Sequence, residues 1–323
     1  MSRGYRAPGE AGRRRQAVEE DRTPRRRPSK RTYVKVLSAL ALVAAVGTLS
    51  AGPTSSAQVG GDGVFRVGAL VPKTGGLQFF NRPMAAGVRL AVADINAAGG
   101  VYGRPVAAIE TDSGDSDRHV IPALTRLLAQ RANVVVGPVT SSMSLAIADH
   151  VKHAGVVQIS PTAASDRLTG LDDDGLIFRM AGPDANQGRL LAHLIEADGA
   201  RRVGILARGD AYGAALSGHV RDALQVPARV ETYDAAAKTY AEDVKKIKAW
   251  EPDAIVIAGF TETADLAREL VRQGLGSGDH RWYFGDGYLA NGGDTAASLP
   301  PGILDGAKAA QAGRRCPRRS SSG

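Results

Sequence analysis

A single cysteine, Cys316, stands in this chain of 323 residues. One thiol gives no disulfide framework and no thiolate metal site. Catalytic signatures are missing as well. There is no GxSxG elbow, HExxH pair or Walker loop, and no G-x-G-x-x-G follows a strand; Gly60–Gly63 precedes the first one and reads as a linker. The six histidines fall on expected helices or loop edges. His150 and His153, three apart on one helix, read as a solvated face. Asp172-Asp173-Asp174 lacks the Gly and distal Glu of a calcium loop and reads as a surface turn. No metal or cofactor is expected, and no enzyme.

Charge is absent between Lys35 and Asp62. Inside that gap, Val36–Leu49 (VLSALALVAAVGTL) is apolar but short for a membrane span, and Pro53 and Ser55-Ser56-Ala57 follow it. A basic stretch, a short apolar run and small residues in that order predict a signal peptide over 1–57, with cleavage after Ala57; an N-terminal membrane anchor is the alternative. Ser29-Lys30-Arg31-Thr32-Tyr33-Val34-Lys35 resembles the twin-arginine export motif with Lys in the first Arg position, and ordinary secretion remains open. No Cys follows the apolar run, so no lipoprotein anchor is read.

The formal charge of +8 suggests nucleic acid until its location is considered. Residues 1–35 carry a net +8 and residues 308–323 a net +5, leaving 24 basic against 29 acidic residues between Val36 and Ala307. A mildly acidic body does not suit a phosphate backbone, so no nucleic acid is expected.

Within that body, short β-branched runs alternate with amphipathic segments of about three turns, the pattern of βαβ units and a parallel sheet. One series has strands at Val64–Val71, Val106–Glu110, Asn133–Val136, Val156–Ile159 and Ile177–Met180, with helices at Met84–Ala98, Val120–Gln130 and Ser144–His153. A second has strands at Arg202–Leu206, Arg229–Tyr233, Ala254–Ala258 and Trp282–Phe284, with helices at Asn186–Ala197, Tyr212–Leu224, Tyr240–Trp250 and Thr263–Gln273. The expected fold class is α/β: two Rossmann-like, doubly wound lobes with a cleft between them. The expected divisions are a linker at 58–63, lobe 1 at 64–182 and lobe 2 at 183–304. Over 305–323 the chain begins a return crossing and ends in a basic tail of disordered composition. Ligands of such sheets bind beyond the carboxyl ends of the strands. The loops there are rich in Gly, Ser, Thr and aromatics, which suits a small polar ligand.

Taken in order, those loops resemble the type I periplasmic binding proteins of the leucine/isoleucine/valine-binding family. The features are Val67–Val71 into Lys73-Thr74-Gly75-Gly76, then GVRLAVADINAAGG at Gly87–Gly100, Gly103-Arg104-Pro105 and Asp112-Ser113-Gly114-Asp115. Val135-Val136-Gly137-Pro138 with Ser141-Ser142, Ile159-Ser160-Pro161, Asp210-Ala211-Tyr212-Gly213 and Phe284-Gly285-Asp286-Gly287 follow. The resemblance runs from about residue 64 to 307. It implies a solute-binding protein, outside the cytoplasmic membrane, that closes a cleft on an amino acid for an ABC importer; its partners would be that ligand and the transporter permease, and it would act as a monomer. Residue by residue, it implies ligand contacts at Ser141, Thr162, Ala163, Tyr212 and Asp286, with Phe80 and Phe260 as cleft aromatics. Ala164 stands where many members have Thr, and Lys73 is expected at the cleft mouth. Each site residue has a plainer reading beside this one: Ser141 as a helix cap, Tyr212 as packing, Asp286 as part of a Gly-flanked turn.

The family pattern continues past the second lobe to complete the first. Here Gly302–Gln311 resembles the start of that return, and the sequence then changes to Arg314-Arg315-Cys316-Pro317-Arg318-Arg319. The expectation is a first lobe with an exposed sheet edge, lower stability than a longer relative, and weak or absent ligand binding. Two other functions fit the same α/β reading: the ligand-sensing domain of a receptor or regulator, and a Rossmann-type enzyme, the latter disfavoured by the missing phosphate loop. The leader reading gives the first test. N-terminal sequencing of exported material is expected to start near Gln58, and an intact Met1 would contradict it.

Overall fold

A computed structural model describes residues 62–290 and 298–311. The leader, most of the linker and the basic tail from 312 lie outside those residues. What is described is two parallel sheets, each layered with helices.

The first sheet has the order β2-β1-β3-β4-β5, built from β1 (Arg66–Val71), β2 (Ala107–Asp112), β3 (Val134–Val136), β4 (Val157–Ser160) and β5 (Ile177–Arg179). Its helices are α1 (Asn81–Ala97), α2 (Asp117–Ala129) and α3 (Ser141–Ala154). Strand β1 is central, and its last four residues, Ala69 and Leu70 among them, are buried. A near-continuous apolar run is what a strand covered on both faces requires.

The second sheet has the order β10-β9-β8-β6-β7, from β6 (Val203–Arg208), β7 (Ala228–Tyr233), β8 (Ala254–Ala258), β9 (Arg281–Phe284) and β10 (Lys308–Ala309). Every residue of β8, AIVIA, is buried. Helices α4 (Asp184–Ala197), α5 (Ala211–Ala223), α6 (Ala241–Lys248), α7 (Thr263–Arg272) and the short α8 (Asp286–Ala290) complete this half. In α7, Ala264, Leu266, Ala267 and Leu270 are buried while Asp265 and Arg268 pair with each other on the outside, the division expected of a surface helix.

All pairings within both sheets are parallel. The element order therefore follows the sequence reading, with shifts at the ends. Helix α1 starts at Asn81, three residues ahead of Met84, because Pro83 fits a first turn where no amide partner is needed. Helix α3 starts at Ser141 because Thr140 is its cap, accepting from the Met143 amide at 3.2 Å. Strand β10 lies beyond 304: Lys308 and Ala309 pair with Tyr283 and Phe284, and the Lys308 ammonium bonds Asp198 at 2.5 Å, so this stretch is joined to the second sheet. Lys73, expected at the cleft mouth, pairs with Glu110 of β2 at 3.2 Å.

Among the described residues β5 is an edge of the first sheet, and Phe178 on it is 52% exposed. Unpaired strand backbone beside an exposed ring is a template for another chain. Phe178→Lys is expected to lower light scattering on heating while leaving the melting temperature within about 1–2 °C, as for a surface change of about ±0.5 kcal/mol. Scattering unchanged from the parent would place the aggregation-prone surface elsewhere.

Candidate functional site

The carboxyl ends of β1, β3, β4, β6, β8 and β9 feed loops that meet between the two sheets. They enclose a cavity of about 380 Å³ lined by Phe80, Ser141, Thr162, Tyr212, Phe260 and Asp286, together with Met180, Gly287 and Gln311 among others. Six of the seven residues singled out from sequence thus face one space. Ala163 does not line it. Its side chain is buried and its amide donates to Ser160 Oγ at 3.2 Å, because the loop after β4 turns inward between Thr162 and Ser165.

Local chemistry fixes how each group faces the space. Gly137, at the end of β3, has φ +117° and leaves only 2.2 Å between a built Cβ and the Leu70 carbonyl oxygen, so only glycine lets the β3 loop run this close to β1. Beyond it, Ser141 heads α3, whose first amides have no partner within the helix. The Ser141 hydroxyl oxygen accepts from the amides of Ala164 at 3.2 Å and Ser165 at 3.1 Å. Its own proton stays available to an acceptor. Thr162 has the opposite polarity: its hydroxyl donates to the Val139 carbonyl, leaving its lone pairs for a donor. Helix capping, the plainer reading of Ser141, belongs to Thr140.

The opposite wall belongs to the second lobe. Tyr212 and Phe260 stack at 5.0 Å between ring centroids, tilted by 23°. The Tyr212 hydroxyl donates to Asp286 Oδ1 at 3.0 Å and accepts from the Gly287 amide at 3.1 Å. A Cβ on Gly287 would stand 2.5 Å from the Gly259 carbonyl oxygen, so this glycine lets the Asp286 and Phe260 loops touch. The lobes themselves are tied at this level by the Ala211 amide, which donates to Ser142 Oγ at 2.9 Å.

Electrostatically the site is short of positive charge. Burial raises the Asp286 carboxyl, against the hydrogen bonds that lower it. Behind it, at the start of α4, Asp184 is 1% exposed and neither of its carboxyl oxygens has a hydrogen-bond partner among the described residues. Burial first, then the charges of Asp286 and Asp166, push Asp184 up to about 8. In sequence Asp184 marks only the start of the second lobe, expected from 183. Pro183-Asp184, a proline and an acid opening a helix, was the available signal. A second interlobe cavity of about 640 Å³ lies against the same loops and is lined by Gly76, Asp115, Arg208, Asp210, Tyr240 and Glu262 among others. Among the described residues no group of three or more His, Cys, Asp and Glu side chains is placed to hold a metal ion.

The Asp184 environment sets a pH dependence. The folded chain keeps this proton to higher pH than the unfolded chain. Its contribution to stability is therefore fully present below the ordinary carboxyl range and is lost as pH rises toward about 8. Asp184→Asn removes that loss. By urea unfolding, the variant should match the parent near pH 4 and exceed it by on the order of 2–4 kcal/mol at pH 8. Parallel profiles for the two proteins would contradict the burial argument.

Comparison with known proteins bears on the whole arrangement. A family model described as periplasmic binding protein matches residues 64–311. The chain is 26% identical to the Leu/Ile/Val-binding protein homolog 3 of Brucella melitensis over 250 residues, 75% of this chain and 65% of that one. Among solved structures, the leucine binding protein LivK of Thermotoga maritima superposes with a TM-score of 0.64 at 21% identity, covering 72% of this chain and 67% of that one. The branched-chain amino acid transporter substrate binding protein LivJ of Streptococcus pneumoniae, in complex with isoleucine, superposes with a TM-score of 0.61 at 26% identity, covering 69% and 64%. The chain spans 65%, 58% and 57% of the length of three curated relatives it matches. A family model covering most of the chain, over two parallel-sheet lobes with their strand ends facing one cavity, places it in the periplasmic binding protein family.

Proposed function

We propose that this chain captures a free amino acid in the cavity between its lobes and presents it to the permease of an ABC importer, outside the cytoplasmic membrane. The observation that carries the reading is the polarity of the 380 Å³ space, with hydroxyl and amide donors from the first lobe facing the buried Asp286 carboxyl of the second. A zwitterion has the matching pair of charges. Its carboxylate finds the Ser141 hydroxyl and the amides heading α3, where a helix N-terminus favours an anion. Its ammonium finds Asp286 and the Thr162 lone pairs, which replace the water it sheds. Phe80, Phe260, Tyr212 and Met180 leave an apolar remainder for the side chain. The names of the relatives, which describe binding proteins for leucine, isoleucine and valine, support this class of ligand. In this reading the protein acts as a monomer without a cofactor, and residues 1–57 direct export.

Titration against the standard amino acids, with dinucleotides as controls, tests the reading. Saturable binding of at least one amino acid, however weak, and of none of the dinucleotides is expected. Asp286→Ala should weaken the tightest ligand by on the order of 2–5 kcal/mol, because it removes one partner of a desolvated charge pair. Undiminished affinity in that variant would remove Asp286 from the site, and binding of a dinucleotide alone would overturn the function.

A further inference from the structure

The two aromatic walls of the ligand cavity are carried by loops 48 residues apart in sequence, at Tyr212 and Phe260, and something must hold their rings in register. We propose that Arg208 is the positioning residue that does so, setting ligand affinity and selectivity without touching the ligand. The proposal rests on the amino-acid reading for its binding consequence, though not for its geometry.

Arg208 ends β6 with its side chain 18% exposed. Its Nε donates to Asp210 Oδ2 at 2.7 Å, and its Nη1 donates to Glu262 Oε1 at 2.8 Å. Each carboxylate in turn fixes a loop. Asp210 caps α5, its Oδ1 accepting from the Gly213 amide at 2.9 Å, and Tyr212 lies within that capped turn. Glu262 Oε1 accepts from the Phe260 amide at 3.2 Å and from the Tyr233 hydroxyl at 3.1 Å. One guanidinium therefore joins the cap of the Tyr212 loop to the anchor of the Phe260 loop. It also lies 5.0 Å from the centroid of the Phe260 ring. Arg208 does not line the inner cavity; it faces the outer one.

The residue type matters. A planar fork can hold two carboxylates in different directions while lying against a ring, whereas an ammonium on a flexible stem cannot do all three. Without the guanidinium, Asp210 and Glu262 become like charges left facing each other in a partly buried place, and the loops carrying them are driven apart. The Tyr212 hydroxyl is pinned to Asp286 and Gly287 at its other end, so a shift of the loop pulls on the carboxyl proposed to meet the ammonium.

The test has a readout that needs no ligand. With 3-fluorotyrosine incorporated, the Tyr212 fluorine signal is assigned by its loss in Tyr212→Phe. In Arg208→Met that signal is expected to shift or broaden, while the signal of Tyr283, bonded to Asp198 at 2.6 Å, stays in place. An unchanged Tyr212 signal would overturn the proposal. Binding adds a double-mutant cycle using the tightest of the standard amino acids. Arg208→Met alone should weaken it by on the order of tenfold, and by a smaller factor in a Phe260→Ala background, where only the Tyr212 route remains, since coupled residues are not additive. Losses that multiply in the double variant would show that Arg208 does not act through the ring, and the proposal fails. Should Arg208→Met not fold, Arg208→Lys keeps the charge without the fork and should move the Tyr212 signal in the same comparison; no movement again refutes the role. A parent that binds no amino acid would remove the proposed function, while the fluorine signal still decides the position of Arg208.

Discussion

Every strand in both sheets runs parallel to its neighbours, and that common direction governs the rest of the molecule. Parallel strands send their connections over the faces of the sheet and bring their carboxyl ends to one edge. In each lobe that edge carries loops of small and polar residues, and the two edges face each other across the cavity. Residues distant in sequence, such as Phe80, Thr162 and Asp286, are brought together by this constraint. Glycine occurs where two such loops must come close, at Gly137 against β1 and at Gly287 against the Phe260 loop. The apolar content of β1 and β8 holds the sheets rigid behind these loops, so that side-chain positions at the edge are set by the packed layers beneath them.

Charge is distributed unevenly along the space between the lobes. In the outer cavity, Arg208 satisfies Asp210 and Glu262 and closes a network that includes the Tyr233 hydroxyl. In the inner part, Asp286 has only a phenol and nearby amides, and Asp184 behind it has no hydrogen-bond partner on its carboxyl among the described residues. Burial is the largest cause that raises both carboxyls, and for Asp184 it outweighs the opposing pull of Arg179. A site so arranged gains most from a ligand that brings its own positive charge. In the proposed reading the donors at α3 take the ligand's negative charge, and an amino acid has both charges within a few bonds.

The larger features of this fold were legible because buried parallel strands leave runs such as AIVIA at Ala254–Ala258, and α7 shows its apolar face at helical spacing. Three kinds of feature were not. Strand β10 is two residues long, too short for any period, and owes its place to pairing with Tyr283 and Phe284. Helix α8 has only five residues and starts at Asp286 itself, in what reads from sequence as a turn. The third kind is long-range: Arg208 and Glu262 are 54 residues apart, and nothing local marks them as partners. Within the site, the side chains at Ser141, Thr162, Tyr212 and Asp286 were legible as strand-end polar or aromatic residues. Ala163 does not line the cavity, because a resemblance carries a position without the inward turn of its backbone. Asp184 was missed because burial makes it unusual, and burial is not visible in Pro183-Asp184 alone.

The central claim is that the cavity receives a ligand ammonium against Asp286, with Asp184 buried behind it. Calorimetric titration in buffers of different ionisation enthalpy counts the protons exchanged when the tightest-binding amino acid enters. Between pH 7 and 8 the account predicts proton release, because the incoming cation favours the ionised form of Asp184, and it predicts that Asp184→Asn reduces the release. Saturable binding with proton uptake, or with no proton exchanged anywhere in that range, would contradict it.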